Sequence, residues 1–132
     1  LVLELAPGTP LGRRVATHGR LSPAAAVQVA RDVARGLATL HGHGLLHRDV
    51  KPENVVVAPD GRARLIDFGL VKDSFVTSMT APGQLVGTAE FMAPEQWSGE
   101  TRDVRCDLFS LGATLYFALT GRSPFAGDSL EE

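Results

Sequence analysis

The sequence predicts an α+β fold that is mainly helical and carries one small β-hairpin. Three observations predict it: a helix opened by Ser22-Pro23, two short apolar strands around Pro59-Asp60-Gly61, and a strongly apolar helix over residues 107–120. The first run, Leu1-Val2-Leu3-Glu4-Leu5, reads as a strand, and Pro7-Gly8-Thr9-Pro10 as a turn leading into a short helical piece, residues 11–17. Ser22 can cap the first turn of the next helix, and Pro23 suits the first helical position because its missing N–H would go unbonded there. Val27, Ala30, Ala34, Leu37 and His41 then recur at helical spacing on one face, until Gly42 and Gly44 stop the helix.

Residues 55–57 and 64–66 read as two strands. Pro59 presets its own φ and Gly61 tolerates a positive one, so the turn between them closes a hairpin. Residues 67–95 are rich in Gly, Ser, Thr and Pro without a sustained period and read as a long surface loop, the kind that usually carries function. The last helix, opened by Asp107 and ended by Gly121, is apolar nearly all round and so should be surrounded by protein on every side. Further helices are therefore expected beyond this segment. A start without Met, in a strand already under way, and an end at Ser129-Leu130-Glu131-Glu132 suggest that residues 1–132 are part of a longer protein.

At 132 residues the chain has the length of one domain, and a domain of that size buries about two-thirds of its unfolded surface. With 44% hydrophobic and 21% charged residues and a formal net charge of -2, it has no basic coat, so nucleic acid is not an implied partner. Cys106 is the only cysteine, which excludes an internal disulfide and makes the cytoplasm the default expectation. Apolar runs such as Leu45-Leu46 and residues 55–58 are too short to span a bilayer, so no membrane contact is expected from this segment and any anchor lies outside it.

The chemistry concentrates in His47-Arg48-Asp49-Val50-Lys51-Pro52-Glu53-Asn54 and, after the hairpin, Asp67-Phe68-Gly69. Asn54 and Asp67 offer oxygen ligands to a hard cation such as Mg²⁺, whose octahedron waters and phosphate oxygens would complete. Asp49 is left to act as a base, and Lys51 can set a positive charge on a phosphoryl group in motion. His41, His43 and His47 could be imagined as a metal cluster, but two of them flank glycines at a helix end. Phe91 and Trp97 read as packing residues, and Cys106 as a small filler near a helix start.

These residues resemble the catalytic loop and metal-binding triplet of the eukaryotic-type (Hanks-type) serine/threonine protein kinases, in the C-terminal lobe. Residues 87–95, Gly-Thr-Ala-Glu-Phe-Met-Ala-Pro-Glu, resemble the end of that family's activation segment. The resemblance implies that Asp49 takes the proton of a substrate hydroxyl, that Lys51 contacts the γ-phosphate, and that Asn54 and Asp67 hold Mg²⁺, with Mn²⁺ as a substitute. Thr88 would bond with Asp49 and Lys51, and Thr88 and Lys51 together match the serine/threonine branch. ATP would meet a hinge at Glu4 and Ala6, with Leu3 at the gatekeeper position, Val56 under the base, and Glu53 beside the nucleotide. His47 and Phe68 would stack in the packed column of the active state. Arg48 would pair with a phosphate on Thr77, Ser78 or Thr80. Glu95 would pair with an arginine beyond the chain, and Asp107 would fix the backbone of the catalytic loop.

The implied partners are ATP, protein substrates bearing Ser or Thr, and the family's N-terminal lobe, since no G-x-G-x-x-G loop, strand lysine or partner glutamate is present. Residues 1–132 would thus be part of a catalytic domain, unable to phosphorylate alone. Ala, Arg and Gly usage is similar to that of bacterial members. A pseudokinase scaffold is the main alternative, but such proteins commonly lose the catalytic Asp or a metal ligand, and all are present here. A small-molecule phosphotransferase would have no evident use for the Ala-Pro-Glu segment.

Overall fold

The computed structural model describes residues 7–67, 90–98 and 103–125. The chain runs from a two-residue strand β1 (Thr9–Pro10) into helix α1 (Leu11–His18) and the long helix α2 (Pro23–Gly42). A 3₁₀ turn (Pro52–Asn54) then leads into β2 (Val55–Val57) and β3 (Ala63–Leu65), and helices α3 (Pro94–Ser98) and α4 (Val104–Thr120) follow. This is the α+β arrangement expected, with the helices outweighing a small antiparallel sheet of order β1-β2-β3.

Helix α2 starts as its cap demands: Ser22 Oγ accepts from Ala25 N–H at 3.3 Å, and Pro23 takes the first helical position. Its buried stripe is Ala26, Val29, Val33 and Leu37. That is a small rotation from the expected face, because Ala30, Ala34 and His41 are only partly buried while Val27 is 67% exposed. The stripe meets Leu11 and Val15 of α1, Val55 and Val57 of β2, Ala63 of β3, and Leu111 and Ala118 of α4 in one apolar core. A backbone bond from Leu21 N–H to Ala118 O, 2.8 Å, fastens the entry of α2 to the end of α4.

The hairpin forms with β3 one residue earlier than expected, at Ala63–Leu65, because Val55 pairs with Leu65 and Val57 with Ala63. Ile66 N–H still donates to Asn54 O at 2.9 Å, so the pairing runs on to the residue before Asp67. Gly61 takes the positive φ required of it, 85°. The third strand was not expected, since Thr9 and Pro10 read as part of a turn. They pair with Val57 and Val56 on the sheet edge, where a proline without an N–H is tolerated. Gly8 makes the approach possible: at φ 141° a Cβ there would lie 2.5 Å from the Val57 carbonyl oxygen.

Helix α4 starts three residues before the expected point. Asp103 caps it, accepting from Arg105 N–H at 2.8 Å, and Asp107 therefore lies inside the first turn, not at its opening. Gly121, at φ 73°, ends it as expected, with its N–H on Phe117 O. Within the loop expected over residues 67–95, Pro94 and Glu95 instead begin the short helix α3, which Phe91 anchors by an edge-on contact with Phe117 of α4. The expected strand at residues 1–5 lies outside the described residues. Among the described residues no helix is long and apolar enough to cross a membrane.

Asp32 of α2 ties that helix to the sheet, its carboxylate accepting from Ala63 N–H at 3.0 Å and from Gln28 at 2.8 Å. The Ala63 bond first, and then Gln28, hold its carboxyl below the usual range. A depressed folded pKa contributes stability above the unfolded value and loses it as pH falls through the folded one. Asp32→Ala should therefore lower the unfolding free energy of the intact protein by about 1–2 kcal/mol at neutral pH. In urea titrations the gap from wild type should begin to narrow below roughly pH 4, the unfolded value, and shrink further as the folded carboxyl takes its proton; a gap that widens with falling pH would contradict the assignment.

Candidate active site

The loop between α2 and the 3₁₀ turn, residues 43–51, carries little regular structure of its own, yet its backbone is held at defined points. The principal holder is Asp107, 1% exposed. Its Oδ2 accepts from His47 N–H at 2.9 Å, and its Oδ1 from Arg48 N–H at 2.8 Å. The His41 ring, at the end of α2, donates from Nε2 to the same Oδ2 at 2.8 Å. A buried carboxylate is costly unless hydrogen bonds replace its water, and donors reach both of its oxygens here.

His47 joins this loop to the exit of β3. The buried ring accepts from Asp49 N–H on Nδ1 at 3.3 Å, so the proton sits on Nε2, which donates to Ile66 O at 3.0 Å. Burial pushes its pKa down, outweighing the opposing pull of the Ile66 carbonyl and of Asp107, Asp49 and Asp67. The ring is accordingly a neutral spacer between two backbone segments.

Past Arg48 the chain turns sharply, at φ 64°, and Asp67 sits at φ 55°. Left-handed backbone is unusual for residues other than glycine and concentrates at functional sites. Asn54, placed by the 3₁₀ turn and 6% exposed, donates from Nδ2 to Asp49 O at 2.8 Å and to Asp49 Oδ2 at 2.9 Å. Lys51 Nζ lies 3.5 Å from the same Oδ2. Asp49, Lys51 and Asn54 thus converge, and Asp67 follows directly on the residue whose N–H is bonded to Asn54 O. With its amide nitrogen turned to Asp49, Asn54 has its oxygen as the atom that could serve a metal. An amide oxygen and an exposed carboxylate are the hard donors that Mg²⁺ takes, so the residues present fit that ion.

Val56 is buried but faces away from the core that Val55 and Val57 enter; one of its methyl carbons lies against Gly8. Glu53 is exposed, and its Oε1 lies beside Gly12 at the start of α1. Glu95 is partly buried on α3. Leu3, Glu4, Ala6, Phe68, Thr77, Ser78, Thr80 and Thr88 lie outside the described residues. The three histidines do not face a common point: His41 goes to Asp107, His43 Nδ1 to Thr39 O, and His47 to Ile66 O. Burial raises the Cys106 thiol to about 11, in keeping with an unreactive filler.

Two contributors escaped the sequence reading. His41 was placed on the helix face, but its partner is 66 residues away and no local pattern marks it. Gln96 accepts from Ala93 N–H at 3.1 Å and donates to Arg48 O at 3.4 Å. Its signal was half a capping box, a Gln at the third helical position without the Ser or Thr that usually announces one.

Asp107→Asn should test the central hub. One amide oxygen cannot serve donors on both sides, and the new NH₂ would face a backbone N–H. Urea titration of the intact protein should show a loss of roughly 2–3 kcal/mol; an unchanged midpoint would remove Asp107 from this role.

The family model described as the protein kinase domain matches residues 1–132. Serine/threonine-protein kinase PknL of Mycobacterium tuberculosis is 45% identical over 129 residues, covering 98% of this chain and 32% of the relative. Serine/threonine-protein kinase PknB of Mycolicibacterium smegmatis is 40% identical over 131 residues, 98% of this chain and 21% of its own length. Serine/threonine-protein kinase PknA of Mycobacterium tuberculosis is 41% identical over 128 residues, 97% and 30% respectively. The chain thus spans a third or less of the length of these relatives.

Proposed function

The chain belongs to the protein kinase domain family, and from that premise we propose that its parent transfers the γ-phosphate of ATP to serine or threonine hydroxyls of proteins. The observation that carries this reading is the convergence of Lys51 and Asn54 on one carboxylate oxygen of Asp49. The names of the relatives, all serine/threonine-protein kinases, support the same acceptor class.

In this mechanism Asp49 orients the acceptor hydroxyl and takes its proton as the new O–P bond forms in line with the breaking bond to the β-phosphate oxygen. Asn54 keeps Asp49 aimed, by bonding both its main chain and its side chain. Lys51 lies against Asp49 in the free site and supplies its charge to the γ-phosphoryl group during transfer. Asn54 and Asp67 would hold Mg²⁺, which when bound neutralises phosphate charge. Val56 would floor the adenine pocket, Glu4 and Ala6 would pair with the base, and Glu53 would border the nucleotide. Thr88 would bridge Asp49 and Lys51 on the acceptor side.

Activation would work through Arg48, whose guanidinium can fork a phosphate on Thr77, Ser78 or Thr80; phosphopeptide mapping of the active parent decides among the three. His47 and Phe68 would stack behind the site, and Glu95 would brace the end of the activation segment against an arginine elsewhere in the parent. We read residues 1–132 as a portion of the catalytic domain, the glycine-rich loop and strand lysine belonging to another part of the parent, and place its action in the cytoplasm, where ATP is supplied.

Asp49→Ala in the intact parent should slow turnover by roughly 10²–10⁴-fold, the range for losing a general base, or about 3–5 kcal/mol of barrier. An unchanged kcat would take Asp49 out of the mechanism. The isolated 132 residues, assayed alongside with Mg²⁺ and ATP, should show no transfer, and robust phosphorylation by them would overturn the division of labour proposed for the two parts.

A further inference from the structure

Gln96, at the third position of α3, reaches two backbone segments at once. Its Oε1 accepts from Ala93 N–H at 3.1 Å, and its Nε2 donates across to Arg48 O at a long 3.4 Å. These partners settle which way the amide points, since a backbone N–H only donates and a carbonyl only accepts.

The bond to Arg48 falls where the backbone needs holding. At φ 64° Arg48 occupies a left-handed conformation that a residue with a Cβ keeps only when its surroundings impose it. Its N–H is fixed by Asp107 Oδ1 at 2.8 Å, from α4. Its carbonyl is met by Gln96, from α3. The peptide planes on both sides of Arg48 are therefore held by different helices. The second of these planes is the Arg48–Asp49 peptide, from which the Asp49 side chain departs.

We infer that Gln96 is a positioning residue for catalysis: through the Arg48–Asp49 peptide it sets the aim of Asp49 relative to the segment that ends in Ala93-Pro94-Glu95. The inference deepens the proposed function and rests on Asp49 being the base. It gives α3 a task distinct from packing. This amide joins the acceptor-side segment to the peptide that carries the proton acceptor, so a shift of the segment is felt at Asp49. Within the amide that link uses the Nε2 donor, whereas the start of α3 uses the Oε1 acceptor.

The two halves of the amide can be separated in the intact parent enzyme. Gln96→Glu keeps an acceptor for Ala93 N–H but sets a carboxylate oxygen against the Arg48 carbonyl. Its kcat should fall about 3–10-fold, the worth of one hydrogen bond, while KM for ATP stays within about 2-fold. Hydrogen exchange of the amides of residues 48–50 should quicken, with α2 unchanged. Gln96→Leu, which loses both bonds, should slow turnover at least as much and also loosen α3. Turnover of Gln96→Glu at the wild-type rate overturns the inference, whether or not exchange rises. Asp49→Ala in the same assay separates the two readings: full turnover there would strike down Asp49 as base, and unchanged exchange in Gln96→Glu would still show that Gln96 does not hold the loop.

Discussion

A carboxylate with almost no access to water organises this molecule. Asp107 can stay buried because donors from the end of α2 and from the loop after it converge on its two oxygens. The bargain is mutual, since the N–H groups of His47 and Arg48 lie where no strand or helix would bond them. Removing the acid would orphan the donors, and removing the donors would orphan the acid. The loop that carries Asp49 thus derives its shape from α4, through a side chain that takes no part in the chemistry itself.

From that anchorage the remaining geometry follows. His47, neutral and enclosed, spaces the loop from the exit of β3, and the 3₁₀ turn swings Asn54 back onto Asp49. The β2–β3 pairing runs through Ile66 N–H to Asn54 O, so Asp67 starts from a residue bonded to Asn54. Side chains that are far apart along the chain gather because each is attached to an element already packed in the core.

Much of the architecture was legible because local chemistry dictates it. Ser22-Pro23 announced α2, Gly61 the hairpin turn and Gly121 the end of α4, each by a conformation or a missing donor that only certain residues suit. The boundaries that slipped were those set from a distance. Thr9 and Pro10 form a strand only because Val56 and Val57 lie alongside, some 47 residues on. The buried stripe of α2 falls on Ala26 and Val29, not Val27, because contacts with α1, the sheet and α4 choose the rotation. Asp103 did carry a capping signal for the start of α4, but an acidic residue four positions later competed with it. At the site, Asp49, Lys51, Asn54 and Asp67 could be nominated from their order and from the family resemblance, and the structure brings the first three together. The supports, His41 and Gln96, could not, for their partners are remote and their residue types ordinary.

The left-handed turn at Arg48 also bears on how the chain reaches its native state. The acceptor for its N–H lies 59 residues further along the sequence and the donor to its carbonyl 48 residues further. Closing loops of that length costs entropy before any contact rewards it, and residue 48 has no preference of its own for the turn. The turn at Arg48 therefore gains its two fixing bonds only where α3 and α4 are docked. A chain in which those helices are undocked has the same residues without the two bonds that fix the turn.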